Sequence, residues 1–312
     1  MSILELRNIF VGSLILIAVA VFPGCRLIPL RGPKTDNDTE SRKLSQQGVM
    51  LLERGDYDQA EICMAEAVAI NAKDADIRRS YAELLWQMSK KQESVDQLSQ
   101  ALSLARKPDT RIMLSLAEKC YELGHHETAV ECAEKAIYNA DVKWISTEEN
   151  KSLLSRAWVI RARVHWRNNE LQPALDDYYK AISLCPKNKE LLSELATLQM
   201  TMKRPEQALA TWHSVGKLYQ EEPQHVVFGR GDAYMAMKQY HLASDQFALA
   251  NQRWPEDINT YCRLAEAQLA CGRVKEAAMI AQRAIEIAPQ NPVCLAMHEQ
   301  VRFALAQPQQ LR

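Results

Sequence analysis

The residue types able to do chemistry are scattered along this chain, and few stand at spacings that would let them act together. Of seven histidines, His125 and His126 are adjacent, so their side chains diverge and suit a solvated turn better than a metal pair. His165 reads as a packed, hydrogen-bonded residue. No glycine-rich phosphate loop, nucleophile elbow, HExxH or paired-cysteine zinc spacing occurs. No catalytic set, metal site or cofactor is therefore expected. Eight cysteines would be enough for a disulfide framework, yet most fall where helices would pack. Cys120 and Cys132 stand on what would be facing helices and read either as a bridge or as a plain pair of buried thiols. Cys262 and Cys271 lie about 13 Å of rise apart on one helix, which no bridge spans.

Arginines and aromatics offer a better-organised set. Arg156, Arg163 and Arg167 are separated by seven and four residues, which places all three on one side of a helix. They are suited to fork onto the carboxylates of a ligand. Alternatively, Glu118 and Glu122, at the places equivalent to Arg163 and Arg167 one unit earlier, pair them off. Leu52, Trp86, Tyr121, Trp166, Met200, Met235 and Leu269 recur once per unit as an apolar row. Such a row either receives an extended chain or an amphipathic helix or simply packs helices together.

These residues are positioned by a repeat. Aligned on itself, the chain yields units beginning at Ser41, Ala75, Thr110, Ser155, Lys189, Gln224 and Ile258, with spacings of 34, 35, 45, 34, 35 and 34. A fixed period of this size denotes a solenoid. The eighth places are Gly48, Ala82, Ala117, Ala162, Ala196, Gly231 and Ala265; the twentieth are Ala60, Ser94, Ala129, Ala174, Ala208, Ala243 and Ala277; the twenty-seventh are Ala67, Ala101, Ala136, Ala181, Val215, Ala250 and Ala284. Each unit thus reads as two short amphipathic helices whose close approach demands small residues. Leu51, Leu85, Met113, Trp158, Tyr178, Leu192, Trp212, Tyr234, Phe247 and Tyr261 fill the space around that line. Pro186, Pro255 and Pro289 end second helices. Asn291-Pro292 opens a last helix over 292–306, with Cys294, Met297, Val301 and Leu305 on its packed side.

The pattern resembles the tetratricopeptide repeat family over about residues 41 to 291, most closely in ERGDYDQAEICMAEAVAI from Glu53 and LACGRVKEAAMIAQRAIEIAP from Leu269. Departures are Arg78 and Arg161 at usually apolar places, Val215 for the third alanine and the long third spacing across residues 141–154, which carries Trp144. The resemblance implies an all-α, right-handed superhelical solenoid of seven helix-turn-helix repeats plus a C-terminal capping helix. It also implies a concave groove that receives protein or peptide partners. Trp86, Tyr121, Arg156, Arg163, Trp166, Arg167 and Met200 are the groove residues so assigned. Members that clamp the carboxylate tail of chaperones use a Lys, Asn and Arg set that Val159, Glu194 and Gly229 do not reproduce.

Glycine is only 10 of 312 residues, with 47% hydrophobic and 25% charged, which excludes collagen, disorder and a multi-span membrane protein. A net charge of −1 provides no global field for nucleic acid. At the N-terminus an uncharged, mostly apolar stretch from Ile9 to Phe22 precedes Pro23-Gly24-Cys25, a length that suits an export signal and falls short of the ~20 residues of a membrane span. Cys25 behind it resembles the lipobox of bacterial lipoproteins, with Gly24 matching and Pro23 and Phe22 departing. Residues 1–25 are thus expected to be a signal peptide or membrane anchor, with Cys25 the lipidated residue, 26–40 a flexible tether, 41–306 the repeat domain and 307–312 a tail. The expected function is a non-catalytic scaffold on the exported side of a bacterial membrane, serving envelope assembly through protein or peptide partners, with no nucleic acid or small-molecule substrate. The alternative is an accessory subunit facing the cytoplasm on an uncleaved anchor.

Overall fold

The computed structural model describes residues 36–105, 109–140 and 146–306. Among these residues it contains fifteen helices and no strand. The expected export segment Ile9–Phe22, Cys25, Trp144 and the tail lie outside the described residues. No described helix is long and apolar enough to cross a membrane.

Helices alternate as antiparallel neighbours: α1 (Asp36–Glu53) with α2 (Tyr57–Ile70), α3 (Ala75–Gln87) with α4 (Lys91–Leu104), α5 (Thr110–Glu122) with α6 (His126–Asn139), and α7 (Glu148–Arg167) with α8 (Leu171–Leu184). The order continues with α9 (Lys189–Thr201) and α10 (Pro205–Gly216), α11 (Gln224–Ala236) and α12 (Tyr240–Arg253), α13 (Ile258–Ala270) and α14 (Val274–Ile287), and ends in α15 (Pro292–Ala306). Five first helices begin at the residue the repeat predicts. Aspartate or asparagine caps explain four of them, since Asp74, Asp109, Asn188 and Asp257 accept backbone N–H bonds from the first turns of α3, α5, α9 and α13.

Two starts differ from the sequence reading. Helix α1 begins at Asp36, so the last part of the expected tether is helical, and Arg42 reaches from it to Asp74 across a 3.0 Å ion pair. Helix α7 begins at Glu148, seven residues ahead of the unit start at Ser155. Thr147 caps it and Glu148 and Glu149 favour its positive N-terminal end, so the described part of the long third spacing is mostly extra helix.

Every turn between paired helices places one residue in the left-handed region, at Gly55, Ser89, Gly124, Asn169, Lys203, Lys238 and Gly272. Each is the fifteenth residue of its unit. The next residue's N–H then bonds to the carbonyl five residues back, as from Asp56 to Leu51 and from Arg273 to Gln268, which closes the first helix in the Schellman manner. The turn therefore tolerates Lys or Asn because its hydrogen bonds, rather than glycine alone, hold it.

The twelve alanines, Ser94 and Val215 of the twentieth and twenty-seventh places are all fully buried. Ser94 fits because its Oγ donates to the Ala82 carbonyl at 2.5 Å. Eighth-place residues lie against the twenty-fourth place of the same pair, and two of them are glycine. Gly48 meets Met64 and Gly231 meets Phe247, where a Cβ would come within 2.6 Å and 2.5 Å of the larger side chain. Elsewhere alanine faces Leu98, Tyr178 or Trp212, or alanine itself at Ala133 and Ala281. Arg161, at a usually apolar place, lies over the Trp158 ring and donates two hydrogen bonds to Asp177, which is 3% exposed. Arg78 donates to the Ala72 carbonyl and to Gln97. On α15, Cys294 and Val301 are buried and Met297 half-buried, but Leu305 is 43% exposed because nothing described covers the final turn.

Replacing Gly231 by Ala should cost about 1–3 kcal/mol by overpacking against Phe247. Adding Phe247→Leu should recover part of that loss, because it recreates the Ala82–Leu98 pairing; urea denaturation of both variants and of Phe247→Leu alone would show the coupling. A second test concerns Arg230, 8% exposed and held by Glu222 through bonds of 2.8 and 2.5 Å. Those bonds hold the Glu222 carboxyl below its ordinary 4.5. Its contribution is therefore present above pH 4.5 and lost as pH falls through the lowered value. Glu222→Gln should cost about 2 kcal/mol at pH 7, less than a fully buried pair because Glu222 is partly exposed. The difference between parent and variant should shrink in acid.

Candidate protein-interaction groove

The inner side of the array follows from which helices touch. α1 meets α3, α5 meets α7, α9 meets α11 and α13 meets α15, whereas no two second helices make a comparable contact among the described residues. First helices are thus crowded on the inside of the curve, and their exposed faces line a groove.

At its centre Tyr121 of α5, Arg163, Trp166 and Arg167 of α7, Tyr178 of α8 and Glu194 of α9 surround a cavity of about 400 Å³. Trp166 stands edge-on to Tyr178 at 6.4 Å, and Tyr178 donates to Glu194 at 2.8 Å. Glu194 also receives two bonds from Arg163, at 2.9 and 2.5 Å, and the Arg163 guanidinium lies 5.9 Å from the Tyr121 ring centre. Burial, followed by the adjacent Glu194 charge, pushes the Tyr178 hydroxyl well above its ordinary value, so it stays a neutral donor. Arg167 is exposed on the rim, with no carboxylate at ion-pair distance among the described residues.

Other expected groove residues are placed differently. Arg156 lines a neighbouring cavity of about 240 Å³ together with Arg163, Glu118 and Glu194. Its guanidinium is engaged by Glu118 through two 2.5 Å bonds. The expected pairing of Glu118 and Glu122 with Arg163 and Arg167 is thus corrected: Arg156 takes Glu118, and Arg163 turns the other way, to α9. The reason is reach, since a side chain on α7 lies between two neighbouring first helices and can pair with either. Trp86 is separated from the central cavity and is flanked by Lys91 and Lys119, at 5.1 and 4.8 Å from its ring. Lys119, 6% exposed, is itself held by Glu83 at 2.9 Å. Met200 packs among Leu192, Ala196, Ala208 and Trp212. The other members of the apolar row are half-buried against core clusters, so packing accounts for much of that periodicity.

A larger cavity, about 530 Å³, was not anticipated. It lies between α9, α11 and α13, with Trp212, His225 and Phe228 on its apolar side and Asp232, Asp257, Asn259 and Arg263 on its polar side. Gly229 lets the Trp212 indole lie directly against α11, because a Cβ there would come within 2.3 Å of the ring. Burial lowers His225 and raises Asp232 despite the nearby Arg263, so both tend toward their neutral forms. Gly229 within an otherwise helix-forming stretch was the available signal in the sequence. His165 Nδ1 donates to the Glu170 carboxylate at 2.5 Å, and His126 packs 5.4 Å from Tyr121. No cluster of metal-binding side chains occurs among the described residues. The seven described cysteines are all free thiols, Cys120 and Cys132 included.

Models of the tetratricopeptide repeat match residues 155–188 and 228–292. Solved structures agree on the fold. A tetratricopeptide repeat protein from Parabacteroides merdae is 17% identical with a TM-score of 0.56, covering 85% of this chain and 99% of its own. The C-terminal part of a repeat protein from Cytophaga hutchinsonii scores 0.64 at 13% identity, covering 81% and 98%. PilW, a type IV pilus biogenesis factor, scores 0.58 at 16%, covering 69% and 94%. The mouse BBSome complex member BBS4 is 24% identical over 144 residues, 46% of this chain and 27% of that protein. The chain thus spans about a quarter of that curated relative.

Proposed function

We propose that this chain, which carries tetratricopeptide repeats in an all-helical solenoid, is a non-catalytic scaffold that holds a segment of a partner protein in the groove between α5, α7 and α9. The observation that carries this reading is Arg167, an exposed cation without a described carboxylate, beside the Trp166 and Tyr121 walls of a cavity large enough for a side chain. Arg163 does not compete for the same ligand, because Glu194 already satisfies its fork. A partner segment with an acidic side chain for Arg167 and an apolar neighbour for Trp166 fits this arrangement. The N-terminal apolar stretch and Cys25 support a tether to a bacterial membrane, with the groove exposed on the exported side. Envelope assembly is the setting such a scaffold would serve, and PilW of the same fold is a pilus biogenesis factor.

Affinity capture from membranes with the intact protein, followed by mass spectrometry, tests the reading. Arg167→Glu should weaken capture by about 2 kcal/mol, some thirtyfold, as for an interface hot spot, with helicity unchanged. Trp166→Ala should act likewise, although its packing on Tyr178 makes it the less selective variant. An Arg167→Glu protein that captures the same chains as well as the parent would place binding elsewhere. An unmodified Cys25 behind an intact Met1 in the membrane-purified protein would remove the lipid tether.

A further inference from the structure

Among the described residues helix α15 packs against α13 and α14. Asn291 fixes its start by accepting from the Val293 and Cys294 N–H groups at 2.9 and 3.4 Å. This brings Cys294 against Cys262 of α13, with 3.8 Å between the sulfurs. No other two thiols are in such contact among the described residues. Cys262 is 5% and Cys294 0% exposed, and the two share a buried cluster with Ala284. A disulfide has sulfurs about 2.05 Å apart, so closing the bond requires a shift of less than about 2 Å between two packed helices. Sequence spacing concealed this pair, because it joins helices of successive units.

We propose that Cys262 and Cys294 form a thiol–disulfide site, at which a small-molecule disulfide oxidises the pair to a bridge that staples α15 to α13. In the closed array neither sulfur is open to the reagent, and burial, then the adjacent Cys294, pushes the Cys262 thiol up to about 12. Reaction therefore proceeds through opening of α15, the last described helix, whose displacement breaks its contacts with α13 and α14. The exposed Cys294 thiol loses its proton, and the thiolate attacks one sulfur of the reagent. That step gives a mixed disulfide and releases the first small-molecule thiolate. As α15 returns, Cys262 loses its proton and attacks the Cys294 sulfur, which displaces the second. Two electrons and two protons pass from the protein pair to the reagent, which ends as two thiols. The bridge encloses α14 entirely and holds α15 against α13. Since such bonds persist in oxidising compartments, its state in cells reports where this end of the chain resides.

The test uses the full-length protein, reduced, freed of reductant and incubated with oxidised glutathione under native conditions. Free thiols are then alkylated in denaturant, and the protein is digested without reduction for mass spectrometry. The expected result is one linked peptide pair containing Cys262 and Cys294, with two fewer alkylated thiols than in the reduced protein. The oxidised parent should also show a higher Tm than the reduced parent. Cys294→Ser and, separately, Cys262→Ser should abolish both the linked pair and the Tm difference. Recovery of both cysteines alkylated separately, or as unresolved glutathione adducts, from protein with native helicity would overturn the proposal. So would a Cys120–Cys132 link formed in their place.

Discussion

The structure depends on how closely two helices can approach at the small-residue places. With Ala60, Ala129, Ala174, Ala208, Ala243 and Ala277 fully buried, the backbones of each pair come together along a line no larger side chain would allow. That spacing has consequences at the next level. At Gly48 and Gly231 it leaves no room for a Cβ against Met64 and Phe247. It also sets the distance between successive first helices, and thereby the width of the groove.

Charge on the inner face is largely spent inside the array. Arg111 bonds Glu149, Arg156 bonds Glu118, Arg163 bonds Glu194 and Arg263 lies near Asp232 and Glu266. Each joins neighbouring first helices or successive turns of one helix, and exposed pairs of this type contribute little to stability. Their effect is on register and on recognition: a cation satisfied by the protein offers little to a ligand. Arg167, exposed and with no carboxylate at ion-pair distance among the described residues, is the cation on which the proposed function rests.

The repeat could be read from the sequence because alanine at fixed places is a constraint of packing, and packing recurs identically in every unit. Thus Ala75, Thr110, Lys189, Gln224 and Ile258 were legible as helix starts. Asp36 was not, since DNDTE has the composition of a linker and becomes helical only with partners such as Asp74 and Asn71 to receive α1. The central residues Tyr121, Arg163, Trp166 and Arg167 were likewise legible, as successive inner places of adjacent units. The direction in which Arg163 pairs was not, because neighbours on both sides stand about one period away. The cavity at Trp212 and Gly229 and the Cys262–Cys294 contact were missed for the same reason: both are made between units, where spacing along the chain carries no preference.

Hydrogen exchange followed by mass spectrometry, comparing Ala174→Phe with the parent, tests the central claim most directly. A bulky ring at that place should wedge α7 from α8. Because each pair is supported only by its neighbours, protection should fall in α7 and α8 and, to a smaller degree, in α6 and α9. α1, α2 and α13 to α15 should exchange as in the parent. Unchanged exchange throughout, or an even loss of protection across all fifteen helices, would contradict the account.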